Sequence, residues 1–268
     1  MTLPELVATI GEGDLVAVPR EYSGVAMEAT RELLRAGTGG LRLLAVPTSG
    51  LQTDLLIGAG RVASVEAAAI ALGEAGLAPR FTAAMRAGSI TMRDSTCPAV
   101  HAALQATEKG IPFVPLRGIL GSDVLARRDD WRVEQNPFAD GPDPIVLLPA
   151  LRPDIALFHA PRADAEGNVW VGRHRELATM AHAAARTLVT VEEVVDGDLL
   201  ADPETAPGAI PAIYVTAIAV APRGAWPLGL AGWYPADTEE IARYATAART
   251  DEGFAAWLDE HLAAGAVR

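Results

Sequence analysis

Short apolar runs alternate with alanine-rich helical segments along most of this chain. Asp14–Pro19 and Leu41–Val46 have the composition of buried strands, and Gly24–Arg35 between them carries apolar residues at helical spacing. Strands that alternate with helices are joined by right-handed crossovers, which makes neighbouring strands parallel. The pattern therefore predicts an α/β fold, an open and mainly parallel sheet with helices on both faces.

The same periodicities predict the remaining elements. Further strands are expected at Val62–Ala67, Ile111–Leu116, Ile145–Leu148, Asp154–His159, Thr187–Val191 and Ile213–Val220. Further helices are expected at Asp54–Gly58, Pro98–Lys109, Arg175–Ala185, Thr238–Thr250 and Gly253–Ala264. Arg117–Pro144 is long, polar and contains proline, so it is expected to be a functional or interface loop. The pattern of residues 67–92 does not decide between helix and strand.

Composition limits the class of protein. A chain of 268 residues suits one large α/β domain, expected to span residues 1–268. The net charge of −12 disfavours a nucleic-acid partner, because such a surface repels phosphates. Cys97 is the single cysteine, which excludes an intrachain disulfide, and the five histidines are dispersed, so no metal site is expected.

No segment of the sequence predicts a membrane partner. The longest apolar stretch, Ala209–Ala221, is interrupted by Pro211 and is shorter than the roughly 20 residues that a membrane helix needs. No basic residue precedes Arg20, so the chain lacks the start of a secretory signal. A cytoplasmic location is expected.

Ligands of open parallel sheets bind at the carboxyl ends of the strands, which directs attention to the residues that follow each strand. Ser49 and Gly50 follow the second strand, where they form either a ligand-binding turn or a plain one. Arg117 and Gly118 follow Leu116, and this arginine either pairs with a substrate carboxylate or phosphate or is an ordinary surface residue.

Three further residue types invite interpretation. Glu192 and Glu193 follow a strand and must point to opposite faces, so they cannot both serve one site. His159 is expected to be a hydrogen-bonded core residue rather than a catalytic base. Cys97 precedes a helix without a neighbouring histidine, and a buried, inert thiol is expected there rather than an activated one.

Several ordered blocks resemble one known family. Pro153–Val169, which includes His159 and the sequence Glu166-Gly167-Asn168, and Ala183–Val194 look like the signature of family I CoA-transferases. The resemblance is nearest to the A (alpha) subunit of the glutaconate CoA-transferase type and covers roughly residues 10–250. Other matching blocks are Gly13–Val16, Asp54–Val62, Gly110–Pro115 with Arg117-Gly118, and Ala221–Ala225.

The resemblance implies a function. The chain would be one subunit of a heteromeric enzyme that moves CoA between an acyl-CoA and a carboxylic acid, through a glutamyl-CoA thioester on a partner B (beta) subunit. Coenzyme A is then a substrate, and no cofactor is implied. The triplets Glu74-Ala-Gly76 and Glu108-Lys-Gly110 have the appearance of helix ends closed by glycine, so no nucleophile is assigned to this chain.

The resemblance, together with the strand-end positions, also suggests site residues. The acid pocket is expected to include Ser49, Gly50, Arg93, Arg117 and Gly118. The chain departs from the family pattern at three places: Pro19–Gly24 stands where the family has a glycine-rich loop, Trp226 where it often has histidine, and Asp94 where it commonly has glutamate.

Two other functions remain open. The chain could belong to a CoA-thioester hydrolase of the same architecture, in which Glu21 or Asp94 positions water. It could also be a non-catalytic chain, such as an orphan scaffold or a sugar-phosphate sensor of related fold. A neighbouring reading frame for a B-subunit-like protein would favour an enzyme over a scaffold.

Overall fold

Seven parallel strands form the centre of the protein, whose residues 1–263 are described by a computed structural model. The strands are β1 (Leu15–Pro19), β2 (Leu41–Val46), β3 (Thr48–Ser49), β4 (Val62–Ala67), β5 (Ala69–Ile70), β6 (Thr91–Asp94), β7 (Phe113–Leu116), β8 (Arg132–Gln135), β9 (Pro144–Pro149), β10 (Ile155–Asp164), β11 (Val169–Trp170), β12 (Arg186–Val195), β13 (Ala209–Ile210) and β14 (Ala217–Val220).

The α-helices lie on both sides of this sheet. They are α1 (Leu3–Val7), α2 (Met27–Ala36), α3 (Leu51–Gly58), α4 (Pro79–Ala87), α5 (Cys97–Glu108), α6 (Asp123–Ala126), α7 (Arg175–Ala183), α8 (Thr238–Ala247) and α9 (Asp251–Leu262). The predicted α/β architecture is confirmed.

The parallel strands follow the order β6-β4-β2-β1-β10-β12-β14. Val16 of β1 pairs with Leu43 on one side and with Ile155 on the other, which places the first strand in the middle of the sheet. Beyond this pairing, β10 continues and forms an antiparallel ladder with β11, which in turn pairs with β13. The carboxyl ends of the parallel strands therefore meet at one edge, which we call the carboxyl edge.

Side-chain alternation along the strands divides the core into two layers. Val16 and Val18 face the layer that contains α1–α4, α8 and α9, which we call the first face. Ala17 points to the opposite side, the second face, where Leu104 of α5 and Met180 of α7 cover the sheet. Both layers are built mainly of aliphatic side chains, which agrees with the low aromatic content.

The segment after α5 differs from its prediction. Ile111–Leu116 was expected to be a strand of the parallel sheet, but β7 pairs antiparallel with β9 in a separate sheet of order β7-β9-β8. Arg117–Pro144 is not a loop throughout, because it contains α6 and β8. Trp131, Ile119 and Val146 form a small core of their own beneath this sheet. We call this unit the small lobe.

Other strand and helix ends differ from the predicted ones. The strand predicted to end at His159 continues to Asp164, and the one predicted to end at Val191 continues to Val195. Ile213–Val220 is shorter than predicted, because a 3-10 turn occupies Ala212–Tyr214. The undecided segment 67–92 contains α4. Ala264, the predicted end of the last helix, lies outside the described residues. Within residues 1–263, no helix is both long enough and apolar enough to cross a membrane.

Candidate active site at the carboxyl edge

The chain leaves β1 through a tight turn at the carboxyl edge. The Ser23 N–H donates to the Arg20 carbonyl at 3.2 Å, which closes a turn over Arg20–Ser23. Tyr22, the third residue of this turn, has φ of 61°, a left-handed conformation that is unfavourable for a residue with a side chain. The turn directs Glu21 and Arg20 towards different neighbours.

Glu21 reaches the start of α3. Its Oε1 accepts a hydrogen bond from the Leu51 N–H, the first amide of that helix, whereas Oε2 is buried without a hydrogen-bond partner among the described residues. Gly50 precedes the helix, and a Cβ there would lie 1.9 Å from Glu21 Oε1 and 2.4 Å from the Ala71 carbonyl oxygen. Only glycine therefore allows the Glu21 carboxyl to come so close to the backbone.

The surroundings of Glu21 favour its neutral form. Burial raises the pKa of Glu21 to about 7, and the nearby Asp54 charge acts in the same direction, while the Leu51 N–H opposes both. A carboxyl group with such a pKa gains and loses a proton near neutral pH. Ser49, one residue before Gly50, is buried and accepts a hydrogen bond from the Thr53 hydroxyl at 2.8 Å.

Arg20 pairs with an acid on the second face. Its Nε lies 3.0 Å from the Ser23 hydroxyl and 3.5 Å from Oε1 of Glu176, in the first turn of α7. Burial by itself would raise the pKa of Glu176, but His174, the Glu176 backbone N–H and Ser23 outweigh it and lower the pKa to about 2. Glu176 therefore stays ionised, and it ties the β1 turn to α7.

A buried polar network lies beside this turn, on the first face. His159 is fully buried in the middle of β10, with Nδ1 2.8 Å from the Thr190 hydroxyl and Nε2 2.8 Å from Oε1 of Glu192. Tyr234 donates its hydroxyl proton to the same oxygen at 2.7 Å, and the Arg223 N–H donates to Oε2 at 2.6 Å. The network links β10, β12 and the segment after β14.

The network fixes the charge of its carboxylate. Burial by itself would raise the pKa of Glu192, but hydrogen bonds from His159, Tyr234 and the Arg223 N–H outweigh it and lower the pKa. Since an ionised carboxylate only accepts hydrogen bonds, Nε2 of His159 carries a proton. His159 is thus a hydrogen-bonded core residue, as the sequence predicted. Glu193 points to the other side, as expected from strand alternation, and is exposed.

Two glycines allow the loops to approach His159. A Cβ on Gly24 would lie 2.2 Å from the His159 carbonyl oxygen, and one on Gly224 would lie 2.5 Å from His159 Cε1. The His159 N–H donates to the Gly24 carbonyl at 2.7 Å, and the Glu28 N–H donates to the Gly224 carbonyl at 2.9 Å. The turns after β1 and β14 are therefore held together around this histidine.

Arg93 and Asp94 belong to a different cluster, at β6 and the small lobe. Arg93 lies 2.8 Å from Asp130 and 3.6 Å from Glu66, and it lines a groove of about 560 Å³ on the second face. Asp94 pairs with Arg127 at 3.3 Å. Both residues are partly exposed.

Arg117 and Gly118 lie in the small lobe. Arg117 follows β7, which is not part of the parallel sheet, and its guanidinium pairs with Asp143 while most of the side chain stays exposed. The expectation that Arg117 and Gly118 follow a strand of the main parallel sheet is therefore wrong, because β7 pairs antiparallel with β9 in a separate sheet. Cys97 is exposed rather than buried, because it is the first residue of α5 at the surface.

Of the residues proposed from sequence, the structure brings Glu21, Ser49 and Gly50 together, and it places Arg93 with Asp94 elsewhere. The sequence reading missed Thr190, Arg223 and Tyr234 as members of the network around His159 and Glu192. Arg223 lies in a block that carried the family resemblance, so that block was an available signal. Tyr234 comes from a distant loop, and no local pattern marks it.

Comparisons with known proteins agree with the fold. The sequence profile described as coenzyme A transferase matches residues 1–221. The A subunit of 3-oxoadipate CoA-transferase from Pseudomonas knackmussii is 30% identical, over 98% of this chain and 93% of the relative. The cholesterol ring-cleaving hydrolase IpdA subunit of Rhodococcus jostii is 31% identical, over 88% of this chain and 82% of the relative. An uncharacterized protein of Archaeoglobus fulgidus is 31% identical over 89% of this chain, which spans about half (53%) of that protein.

Solved structures are similar over nearly the whole chain. Glutaconate coenzyme A-transferase from Acidaminococcus fermentans has a TM-score of 0.90 at 27% identity, over 97% of this chain and 87% of that chain. A variant of the decarboxylase AibA/AibB has a TM-score of 0.84 at 31% identity, over 98% of this chain and 97% of that chain.

Proposed function

Because the chain belongs to the coenzyme A transferase family, we propose that it is the A subunit of a heteromeric CoA-transferase. The enzyme moves CoA between an acyl-CoA and a carboxylic acid. A partner B subunit supplies the glutamate that forms the covalent intermediate. CoA is a substrate rather than a resident cofactor, and a cytoplasmic location is part of the proposal.

The reaction conserves the thioester bond energy through covalent steps. A glutamate oxygen of the partner attacks the acyl-CoA carbonyl, and CoA leaves as the thiolate, which gives a mixed anhydride. The thiolate then attacks the glutamyl carbonyl and releases the first acid, leaving CoA on the glutamate. The acceptor carboxylate then attacks the glutamyl thioester and displaces CoA as the thiolate, which gives a second mixed anhydride. The thiolate attacks the acyl carbonyl of this anhydride, which produces the new acyl-CoA and restores the glutamate.

The hydrogen bonding and burial of the carboxylates near the carboxyl edge support the proposal that the nucleophile comes from another chain. Glu192 is held by three donors and has a lowered pKa, and Glu21 is buried against the Leu51 amide. A nucleophilic carboxylate must instead be free to reach a thioester carbon. Glu74 and Glu108 lie at helix ends, which agrees with the sequence reading.

The acid pocket is proposed to include Ser49, Gly50, Arg93, Arg117 and Gly118. Ser49 and Gly50 lie at the carboxyl edge, whereas Arg93 and Arg117 pair with acids of this chain. A substrate carboxylate bound by either arginine would compete with Asp130 or Asp143.

Co-purification with the product of an adjacent B-subunit-like gene tests the proposal. The complex is given an acyl-CoA and an acceptor acid, and CoA transfer is measured. Borohydride reduction of the complex after acyl-CoA alone should then modify a glutamate of the partner. Turnover by the purified chain without a partner would refute the proposal, as would labelling on this chain.

Hydrolysis of a CoA thioester is the second candidate, and the buried Glu21 favours it. Its pKa of about 7 suits a group that takes a proton from water at neutral pH. Incubation of the complex with acyl-CoA and no acceptor acid separates the two reactions. Sustained release of CoA indicates hydrolysis, whereas release limited to one equivalent per site or less indicates transfer.

A further inference from the structure

The Glu21 carboxyl occupies a position where a helix start would otherwise bind an anion. The first amides of an α-helix lack partners within the helix, and its N-terminus carries a partial positive charge, so carboxylates bind there. Helix α3 is eight residues long, and Gly50 at its N-cap offers no side chain to these amides. The Glu21 Oε1 takes the Leu51 amide instead.

Several local features hold Glu21 in this place. Tyr22, the residue after Glu21, has a left-handed conformation in the turn after β1, and the Glu21 side chain extends from this turn to the start of α3. Gly50 leaves the space that the carboxyl fills, since a Cβ there would overlap Glu21 Oε1 at 1.9 Å. A turn with a strained residue and a glycine that leaves no room for a side chain thus lie on the two sides of the same contact.

The second carboxyl oxygen shows that the contact is not simply a helix cap. Oε2 of Glu21 is buried with no hydrogen-bond partner in the part of the chain that the structure describes, although most buried polar atoms have one. The carboxyl carbon that carries it would lie 2.7 Å from a Cβ on Gly50, one of the residues proposed to bind substrate. An unpaired buried oxygen next to a proposed substrate pocket indicates that this carboxyl stands where part of a ligand would otherwise be.

We propose that Glu21 is a specificity-determining residue, whose carboxyl fills the anion position at the start of α3 and excludes acids that carry a second carboxylate there. The inference rests on the proposed function, because it assigns the substrate class of that acid pocket. The acids accepted by this site are monocarboxylic, or dicarboxylic acids whose second carboxylate lies elsewhere. Lack of space enforces the exclusion, because the Glu21 side chain fills this position next to Gly50.

Binding to the full chain tests the inference without any turnover. Glutarate and valerate are used as probes, because they have the same five-carbon length and differ in the second carboxylate. Amide chemical shifts of Leu51 are followed by NMR in the wild type, E21G and E21Q. The E21G variant vacates the position, whereas Gln keeps the volume and can still accept from the Leu51 N–H, so E21Q is the matched control.

Glutarate is expected to shift the Leu51 amide in E21G with an affinity at least tenfold higher than in the wild type or in E21Q. Valerate should show no such gain. Equal glutarate binding by wild type and E21G would overturn the inference, as would an equal gain in E21Q. If E21G does not give a folded spectrum, E21A replaces it with the same expectations.

The complex with the B subunit gives a second, independent result. The ratio of kcat/KM for glutarate to that for valerate should rise at least tenfold in E21G and stay near the wild-type value in E21Q. An unchanged ratio in E21G would contradict the inference. Absence of CoA transfer by all three complexes would instead contradict the proposed function, and the binding result would still decide the role of Glu21.

Discussion

His159 Nε2 lies 2.8 Å from Glu192 Oε1, and this buried pair joins the two loops that border the carboxyl edge. Glu192 in turn accepts from Tyr234 and from the Arg223 N–H, while the His159 backbone is bonded to Gly24. The turn that carries Glu21 therefore rests on an interior network rather than on the surface. Disturbing the network should disturb both the stability of the chain and the shape of this edge.

Gly224→Ala is expected to destabilise the protein by at least about 2 kcal/mol, because overfilling a packed site forces its neighbours to move. The new Cβ would lie 2.5 Å from His159 Cε1 and 2.7 Å from the Ala221 carbonyl oxygen, and neither atom can withdraw easily. Urea denaturation measures the change. Gly141→Ala is the control, because a Cβ there meets nothing within 4 Å. Equal effects of the two substitutions would contradict the close packing around His159.

Glu21→Gln should change the pH dependence of stability. The pKa of Glu21 is about 7 in the folded chain against an ordinary 4.5, so the folded state binds more protons between these values. Stability therefore falls as pH rises through 4.5 and past 7, by about 3.5 kcal/mol in all, since each pKa unit corresponds to about 1.4 kcal/mol. Glutamine does not titrate, so E21Q gains stability relative to the wild type over this range.

Urea denaturation of wild type and E21Q at several values between about pH 5 and 8 checks this expectation. The difference between the two proteins should grow with pH in favour of E21Q. A difference that does not change with pH would mean that Glu21 is not held in a desolvated position.

Arg128→Met is expected to cost about 3–5 kcal/mol, because removing one partner of a buried ion pair leaves the other charge uncompensated. Arg128 is nearly fully buried, with Nη1 2.8 Å from Glu66, two hydrogen bonds to Asp130, and its guanidinium stacked on Trp131. It joins the small lobe to β4 of the main sheet.

The adjacent Arg127→Met is the matched control for this substitution. Arg127 pairs with Asp94 but 72% of its side chain is exposed, so its loss should cost less than about 1 kcal/mol. Denaturation midpoints of the two variants decide the comparison. Similar losses in both would show that the buried pair does not anchor the small lobe.

Arg117→Ala should weaken binding of the acceptor acid and leave binding of acyl-CoA unchanged, if Arg117 binds the acceptor carboxylate. Loss of a charge-assisted hydrogen bond is worth about 1.5–3 kcal/mol, which corresponds to roughly a 10- to 100-fold rise in KM for the acid. The Arg117 side chain is 62% exposed in its pair with Asp143, and Asp143 keeps its hydrogen bond from Asn136, so the fold should be little affected.

Steady-state kinetics of the complex, with acid and acyl-CoA varied in turn, measure the effect. Arg132→Ala, an exposed arginine on β8, the other outer strand of the small-lobe sheet, is the control and should leave both KM values near wild type. Equal changes in the two KM values of R117A would remove Arg117 from the acid pocket.

Strands whose burial is set by their own side chains were predictable from the sequence. Leu41–Val46 and Val62–Ala67 are apolar runs with turn residues on both sides, and the structure has strands with these bounds. The opposite orientations of Glu192 and Glu193 follow from the two-residue period of a strand alone. Such features depend on neighbours in the chain and need no knowledge of the rest of the fold.

The place of Arg117 was not predictable in this way. The run before it has the composition of a strand, but whether that strand joins the parallel sheet depends on its partner, β9, which lies much later in the chain. The burial of Glu21 is similar, because its desolvation comes from α3 and its neighbours across the carboxyl edge. The residues adjacent to Glu21 in the sequence do not predict that its pKa is near 7.

The sequence by itself determined that this chain forms a mainly parallel α/β sheet and resembles one half of a two-subunit enzyme, because hydrophobic period and ordered motifs are properties of the chain in one dimension. Only the tertiary structure decided that Glu21, Ser49 and Gly50 meet, that Arg93 and Arg117 pair with acids of the same chain, and that Glu192 is enclosed by His159 and Tyr234. These relationships depend on distances between segments far apart in sequence, and burial and charge act through those distances.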